Sequence, residues 1–225
     1  MKRHLVSKYN ADDKKITVYK CGANTNHFNI KPKEEKIALR NELGIADKDV
    51  VFIYAGGTAK WQKIDVSLNI FKGYQTHNPN SKFLILSHDK EQLKTILEDE
   101  KWNSIRKSVI TTSVPYTKVP NYLNVADIAF LIRDNVILNA VASPTKLAEY
   151  LACGLPVITA SVAKKWVKPE IEASMVFCDE AAEINHKIDK AIQYRNADAI
   201  RQYAVDNLSV EIDEKNIDMM ISQCL

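Results

Sequence analysis

SPTKLAEYLACGLPVIT, residues 143–159, predicts a helix followed directly by a short strand. Ser143 is a favourable N-cap residue, and Pro144 suits the first helical position, where a backbone N–H would be unpaired anyway. Gly154 is typical of a helix end, and Pro156 prevents the helix from continuing. The apolar residues that follow Gly154 predict a short buried strand.

The start of this helix has the features of an anion-binding site. Backbone N–H groups at a helix N-terminus are unpaired and lie at the positive end of the helix dipole. Ser143, Thr145 and Lys146 form the first turn, and the lysine adds a positive charge. The pattern therefore predicts a phosphate site.

Glu149 lies three residues after Lys146, so the two side chains project from neighbouring positions on the helix. A carboxylate can accept hydrogen bonds from two adjacent hydroxyls, such as those of a ribose. The same spacing also suits an ion pair between Glu149 and Lys146. Both interpretations stay open at this point.

The composition excludes several classes of function. The chain has 225 residues, 46% of them hydrophobic and 26% charged, as expected for a globular protein of one large domain or one domain with an appendage. Its net charge is only +3, because 28 acidic residues are spread among 31 basic ones, so nucleic acid is not an expected partner. No stretch resembles a secretory signal or a membrane-spanning helix. The widely spaced cysteines favour free thiols in a reducing cytoplasm over metal ligation.

Apolar strands alternate with amphipathic helices along the chain. The expected strands are residues 16–20, 50–55, 82–87, 108–112, 127–132, 155–159 and 175–177. The expected helices are residues 33–43, 65–77, 90–98 and 119–125, the helix that begins after Ser143, and a helical pattern from residue 179 to the end. This alternation predicts an α/β fold, a doubly wound Rossmann-like parallel sheet with C-terminal helices. Residues 1–15 are charged and are expected to form a linker, a helix or a tail.

In such folds ligands bind beyond the carboxyl ends of the strands, so the residues after each strand are candidates for the site. The sequence GGTAKWQK, residues 56–63, follows the second expected strand. Gly56 and Gly57 allow a close approach of the backbone, and Lys60 and Lys63 supply positive charge. The loop lacks the P-loop pattern, and a tight turn with solvated lysines is the alternative interpretation.

Two later strand ends carry further candidates. Pro115 and Tyr116 follow the fourth expected strand and form either a wall for a flat base or only the start of a proline-kinked loop. Arg133 follows the fifth expected strand, where its planar guanidinium suits a phosphate or a sugar. A salt bridge between Arg133 and Asp134 is the alternative.

Other side chains carry weaker signals. No histidine has the spacing of a metal site or a catalytic triad. His88 follows a strand and could reach the crevice, but it is interpreted as a helix-capping or surface residue. Trp61, Trp102 and Trp166 are interpreted as packing residues. The basic stretch AKKWVKP, residues 163–169, is interpreted as a solvated helix rather than a membrane contact.

FLIRDNVILNAVASPTKLAEYLACGLPVI, residues 130–158, resembles the C-terminal domain of family 4 glycosyltransferases, the retaining enzymes of the two-domain GT-B fold. It looks closest to bacterial members that act on lipopolysaccharide, capsule or other surface polysaccharides. Residues 16–28 resemble the segment leading from the interdomain linker, and residues 56–65 resemble the family's loop with the pattern G-R-x-x-x-x-K-G-x-D. Residues 208–221 resemble the final helix, which crosses back to the N-terminal domain. The resemblance covers nearly the whole chain.

The resemblance implies a domain that binds a UDP-, GDP- or other nucleotide-sugar. Lys63 takes the place of the family's diphosphate lysine, and Glu149 takes that of a glutamate that binds the ribose hydroxyls. Residues 114–116 would flank the base. The backbone N–H groups of Thr145 and Lys146 would meet the diphosphate.

The sequence departs from the family pattern at two positions. Gly57 stands where the family has a phosphate-binding arginine, so Lys60 or Arg133 is expected to supply that charge. Val141 stands where the family has the first of two glutamates, and its side chain cannot hydrogen-bond a sugar. The candidate donor-binding residues are Gly56, Gly57, Lys60, Val114, Pro115, Tyr116, Ser143, Thr145, Lys146 and Glu149, and the candidate catalytic residues are Lys63 and Arg133.

The implied function is the donor half of a retaining glycosyltransferase that requires no metal or other cofactor. Lys63, a second basic residue and the helix dipole would stabilise the leaving diphosphate, and no side-chain nucleophile is expected. Residues 16–225 would form the donor domain, and an N-terminal acceptor-binding domain, in cis or in trans, would complete the site. The acceptor would be a glycan or a lipid-linked molecule, in the cytoplasm or at the inner face of the membrane. A nucleotide-binding or interaction module without activity is the alternative.

Overall fold

The computed structural model describes residues 2–16, 21–134, 145–179 and 183–211. Within these ranges six strands form one sheet in the order β3–β2–β1–β4–β5–β6, and all neighbouring strands are parallel. The strands are β1 (Val50–Ala55), β2 (Ser81–Leu86), β3 (Val109–Thr112), β4 (Ile128–Leu131), β5 (Val157–Thr159) and β6 (Met175–Phe177). The strand order reverses between β1 and β4, which opens a crevice at their carboxyl ends.

Helices cover both faces of the sheet. The helices in the described ranges are α1 (Lys2–Tyr9), α2 (Lys33–Glu42), α3 (Ile64–His77), α4 (Lys90–Glu98), α5 (Val119–Asn124), α6 (Thr145–Ala152), α7 (Ile184–Gln193) and α8 (Ala197–Leu208), of which α1 has no buried residue. Val51 and Ile53 of β1 pack in the hydrophobic cluster that contains α6 and α8. Phe52 and Tyr54 pack on the other face, with α3, α4 and α7. Because both faces are buried, the strand is apolar along its whole length rather than alternating.

The turn after α6 fixes the end of the predicted helix. Gly154 has φ of +68°, in the left-handed region that favours glycine, and a Cβ there would lie 2.8 Å from the carbonyl oxygen of Ala197. Its own carbonyl accepts a hydrogen bond of 2.7 Å from Nε of Arg195. Arg201 of α8 donates to the carbonyl oxygen of Ala152 at 2.9 Å. The prediction that Gly154 ends this helix is confirmed, and the start of α8 packs against the turn.

The predicted fold class is confirmed, with shifted boundaries. Strands 50–55 and 175–177 and helix 90–98 have the predicted bounds, and the other predicted elements within the described ranges differ by one or two residues at an end. The predicted helical pattern after residue 179 is divided, because the chain leaves the helix at Tyr194 and Asn196 caps α8 with a side-chain hydrogen bond of 3.0 Å from the N–H of Ala199.

Several predictions fall partly or wholly outside the described residues. They concern most of the strand 16–20, the cap formed by Ser143 and Pro144, Val141, and most of the final segment 208–221. The basic stretch 163–169 lies partly in a 3-10 helix, Ser161–Trp166, in which Ala163 is buried. In the ranges that the structure covers, no helix is both long enough and apolar enough to cross a membrane.

Candidate functional site

A cavity of about 390 Å³ lies at the carboxyl ends of β1, β2 and β3, beside the N-terminal turn of α6. The predicted residues that line it are Gly56, Gly57, Val114, Tyr116, Thr145, Lys146 and Glu149. Pro115 lines a neighbouring groove between α2 and α5 instead. Lys60, Lys63 and Arg133 do not line the cavity, and Ser143 lies outside the described residues. The structure thus brings most of the predicted donor-binding residues into one place.

Lys146 reaches from α6 to the end of β1. Its Nζ lies 5.3 Å from the centroid of the Tyr54 ring and donates a hydrogen bond of 3.4 Å to Oε1 of Gln62. A Cβ on Gly56 would collide with this ammonium group, so the glycine leaves room for the lysine. Burial, together with the positive charge of Arg133, lowers the pKa of Lys146 to about 8. Lys146 is therefore a partly desolvated cation, and an anion in the cavity would stabilise its charged form.

Glu149 binds Tyr116 rather than Lys146. The hydroxyl of Tyr116 donates a hydrogen bond of 3.0 Å to Oε1 of Glu149. Burial raises the pKa of the Glu149 carboxyl, although the hydrogen bond and the charge of Lys146 act in the opposite direction. No ion pair joins Glu149 to Lys146 within the described part of the chain. The carboxylate therefore faces the cavity wall at Tyr116, where it can also meet a hydroxyl of a ligand.

Tyr116 forms an exposed aromatic wall. Its ring centroid lies 5.5 Å from that of Phe28 and 5.7 Å from that of His27, while 60% of the residue is exposed. Burial of the hydroxyl and the neighbouring carboxylate of Glu149 raise the pKa of Tyr116 to about 12, so the hydroxyl stays a donor at neutral pH. A flat ring beside a hydroxyl-binding carboxylate suits a base and a sugar joined to it.

The loop after β1 carries two lysines in different environments. Lys60 is exposed, on a short 3-10 helix. Lys63 adopts the left-handed conformation, with φ of 51°, and its Nζ lies 2.9 Å from Oδ1 of Asp134. The hydrogen bond to Asp134 raises the pKa of Lys63. The lysine expected at the diphosphate is thus held in an ion pair with Asp134.

Arg133 does not form the alternative salt bridge with Asp134. Its guanidinium carbon lies 5.5 Å from the centroid of the Trp61 ring, and its Nε is buried without a hydrogen-bond partner. Trp61 is 49% exposed, so its interpretation as a packing residue was wrong, whereas Trp102 is buried as expected. No sequence pattern indicated this pairing, because the two residues belong to different loops.

Other residues that shape the site were missed. Tyr150, read from the sequence as an apolar helix position, accepts a hydrogen bond of 3.0 Å from the N–H of Ala55. Asp89 accepts hydrogen bonds of 2.7 Å from the N–H of Thr58 and 3.1 Å from its hydroxyl, which fixes the loop after Gly57. A buried tyrosine hydroxyl usually has a hydrogen-bond partner. A tyrosine on the apolar face of the predicted helix therefore already indicated such a contact for Tyr150.

His88 also lines the cavity. Its Nδ1 lies 2.7 Å from Oγ of Ser113, which brings the ends of β2 and β3 together. The residue is exposed, in agreement with the surface interpretation. In the part of the chain that the structure describes, no group of three or more His, Cys, Asp or Glu residues is arranged to hold a metal ion.

The sequence matches the family model described as glycosyl transferases group 1 over residues 35–206. A comparison with curated proteins gives no match. Among solved structures, Anabaena Alr3699/HepE in complex with UDP-glucose has a TM-score of 0.74 at 15% identity, with 95% of this chain and 59% of that one covered. WaaG, a glycosyltransferase involved in lipopolysaccharide biosynthesis, has a TM-score of 0.72 at 18% identity, with 96% and 59% covered.

The C-terminal domain of LpcC, a glycosyl transferase group 1 family protein from Francisella tularensis, is also similar. Its TM-score is 0.61 at 13% identity, and 84% of this chain matches 100% of that domain. At these identities the structures show a shared fold. The chain spans 59% of the length of HepE and of WaaG, and the whole length of the LpcC domain.

Proposed function

The chain belongs to the group 1 glycosyl transferases, and on that premise we propose that it is the donor-binding domain of a retaining, family 4 enzyme of the two-domain GT-B type. The donor is a nucleotide-diphosphate sugar such as a UDP- or GDP-sugar. The observation that carries the proposal is one cavity, at the carboxyl ends of the central strands, that combines a helix N-terminus with Lys146 and Glu149.

Each part of the donor has a matching group in the cavity. The N-terminal N–H groups of α6 and the ammonium of Lys146 suit the diphosphate. The carboxylate of Glu149 suits the two hydroxyls of the ribose. Val114 and Tyr116 supply an apolar surface and a ring for the base. HepE, whose structure contains UDP-glucose, supports a nucleotide-sugar by analogy of fold.

Arg133 is the better candidate for the charge that is missing at Gly57. The positive charge of Arg133 contributes to the lowered pKa of Lys146, and Arg133 follows β4, the strand next to β1 in the sheet. Lys60, by contrast, is exposed and is not among the charges that shift the pKa of Lys146. Arg133 and Lys146 together would hold the negative charge that develops on the diphosphate as it leaves.

In the proposed reaction the acceptor hydroxyl attacks the anomeric carbon on the face from which the diphosphate leaves. The bond between that carbon and the diphosphate oxygen breaks, and the hydroxyl proton passes to a donor phosphate oxygen. The protein contributes fixed positive charge from Lys146, Arg133, Lys63 and the α6 dipole, which stabilises the leaving group. No metal and no side-chain nucleophile enter this proposal, which follows the family resemblance in both respects.

Calorimetric titration of the chain with UDP and GDP tests the donor site. Lys146→Met is expected to weaken binding by about tenfold or more, because a charge-assisted hydrogen bond is lost. Glu149→Gln is expected to weaken it less, because the amide keeps one acceptor oxygen. Lys187→Met, on the exposed face of α7, is the matched control and keeps wild-type affinity. A folded wild-type chain that binds neither nucleotide would contradict the proposal.

A module that binds nucleotide without activity is the second candidate. The ion pair between Lys63 and Asp134 favours it, because this cation is neutralised at the rim. Turnover of a complete two-domain protein separates the candidates. If the domain is catalytic, Lys63→Ala is expected to raise the activation free energy of sugar transfer by roughly 2–4 kcal/mol. Near-normal turnover of that variant would remove Lys63 from the mechanism.

The acceptor and the location belong to the same proposal. A surface polysaccharide or a lipid-linked glycan is the proposed acceptor, and an acceptor-binding domain in cis or in trans is the proposed partner. The likeness to WaaG supports this class of acceptor by analogy. The proposed site of action is the cytoplasm or the inner face of the membrane.

A further inference from the structure

Two cations of the candidate site lie against aromatic rings. Arg133 stands 5.5 Å from the ring centroid of Trp61, and Lys146 stands 5.3 Å from that of Tyr54. No ion pair recorded between described residues includes either of them. Lys63 differs, since it pairs with Asp134 at 2.9 Å. Arg133 and Lys146 therefore lie against aromatic rings, whereas Lys63 is held by a carboxylate.

Core packing does not account for Trp61. The residue lies on the short 3-10 helix Lys60–Gln62 after β1, and 49% of it is exposed. Trp102, in comparison, is 1% exposed. Placing a large indole half in water is unfavourable unless the ring has a partner or a ligand. The partner that the structure gives it is the guanidinium of Arg133.

Arg133 needs a support that leaves its charge intact. Its Nε is buried without a hydrogen-bond partner, and burial lowers its pKa. The adjacent carboxylate, Asp134, is paired with Lys63. A tryptophan ring attracts a planar guanidinium through its quadrupole without neutralising it. A carboxylate in the same place would compete with any anion that entered the cavity.

We propose that Trp61 is a positioning residue that holds the guanidinium of Arg133, charged and with no carboxylate partner among the described residues, beside the cavity for the diphosphate of a nucleotide-sugar. This inference rests on the proposed function, because it assumes that a nucleoside diphosphate enters the cavity. Binding of the diphosphate to Arg133 would change the electrostatic surroundings of the indole, so Trp61 is also expected to report binding through its fluorescence.

The test is a double-mutant cycle of Trp61 and Arg133, read by calorimetric titration with UDP and GDP. Trp61→Leu is expected to weaken binding about three- to tenfold, and Trp61→Phe, which keeps a ring, less than about twofold. In the Arg133→Gln background, Trp61→Leu is expected to have no further effect, because its role passes through the guanidinium. Thermal unfolding of each variant confirms that the exposed site has been changed without loss of the fold.

Trp166 supplies the matched control. Its ring also carries a lysine, with Nζ of Lys165 at 5.4 Å from the centroid, but it does not line the cavity. Trp166→Phe is therefore expected to keep wild-type affinity and to keep the fluorescence change on UDP addition, whereas Trp61→Phe loses that change.

The outcomes separate the two proposals. Wild-type affinity in Trp61→Leu, or an equal loss in the Arg133→Gln background, overturns the positioning role and leaves the donor site standing. A wild-type chain that binds neither UDP nor GDP overturns the proposed function, and the role of Trp61 with it.

Discussion

Lys146 shows how one side chain acquires its chemistry from its surroundings. Burial is the main cause of its lowered pKa of about 8, and the charge of Arg133 acts in the same direction. The carboxylate of Glu149 opposes this shift. Near neutral pH the group is close to losing its proton, and a diphosphate beside it would restore the charged form. Anion binding and protonation of Lys146 are therefore coupled.

This coupling predicts that the affinity for UDP falls as the pH rises from about 7.5 to 9.5. The side chain of Lys146 has a pKa of about 8 before a ligand binds. Above pH 8 it must therefore take up a proton in order to bind the diphosphate in its charged form. The loss is expected to approach about tenfold per pH unit above the pKa. Titrations at pH 8 in buffers of different ionisation enthalpy measure the proton uptake.

The control for this prediction is Lys146→Met, in which the dependence on buffer should disappear. The same binding enthalpy in two such buffers for the wild-type chain would contradict the coupling.

At the scale of single residues, the sequence predicted which side chains lie at the cavity better than it predicted the partners of those side chains. Lys146 and Glu149 could be identified because both lie on one helix, whose geometry follows from local spacing. The pairs Trp61 with Arg133 and Lys63 with Asp134 join loops more than sixty residues apart in the chain. Which of several nearby carboxylates or rings a cation meets depends on tertiary packing, and a single sequence does not contain that information in readable form.

Among the elements, the junction of β1 and α6 determines the shape of the site. The N–H of Gly56 donates to the carbonyl oxygen of Leu86 in β2, so the N–H of Ala55 points to the opposite side. There the N–H of Ala55 donates a hydrogen bond of 3.0 Å to the hydroxyl oxygen of Tyr150, which takes the place of a carbonyl on a neighbouring strand. Because β1 pairs with β4 only further back, at Phe52 and Ile53, the two strands separate here and leave the crevice.

Gly56→Ala is expected to disrupt this junction selectively. The new methyl group would occupy the position of the Lys146 ammonium and approach the Tyr54 hydroxyl to 2.9 Å. Displacement of the ammonium is expected to weaken UDP binding by about tenfold, since the charge leaves the cavity. Gly73→Ala is the matched control, because a Cβ there meets nothing within 4 Å.

Urea unfolding and calorimetric titration distinguish the two variants. Gly73 lies inside α3, so its replacement by alanine is expected to stabilise the fold by roughly 0.5–1 kcal/mol and leave binding unchanged. Equal UDP affinity in both variants would show that Lys146 does not need its present position.

The elements themselves were predictable where local signals agreed. Fully apolar stretches predicted β1 and β6 with their bounds, because strands buried on both faces have no polar residue to blur the pattern. The break between α7 and α8 was missed, since Tyr194 to Asn196 contains neither glycine nor proline. Asn196 caps α8, and asparagine is a common N-cap residue. Asparagine alone does not identify a helix start, and the contact of Arg195 with the Gly154 turn, which accompanies the break, depends on tertiary packing.

At the scale of the whole molecule, the candidate site lies along the edge of the sheet that is formed by the carboxyl ends of β1, β2 and β3. Trp61 and Tyr116 stand at this edge with 49% and 60% of their surfaces exposed. Exposed aromatic surface beside a cavity is available for contact with another domain or with a ligand. This exposure supports the proposal that an acceptor-binding domain faces this edge, and the chain spans 59% of the length of HepE and WaaG.

If transfer requires that facing domain, the chain by itself is expected to bind UDP or GDP without turning over nucleotide-sugars. The positive groups would still hold the diphosphate, but no acceptor hydroxyl would be oriented at the anomeric carbon, and orientation supplies much of the rate acceleration. Release of UDP from UDP-glucose, or of GDP from GDP-mannose, measures turnover, and Lys146→Met sets the background. Nucleotide binding with release at that background supports a divided site. Steady release well above it by the chain alone would show that these residues suffice for the reaction.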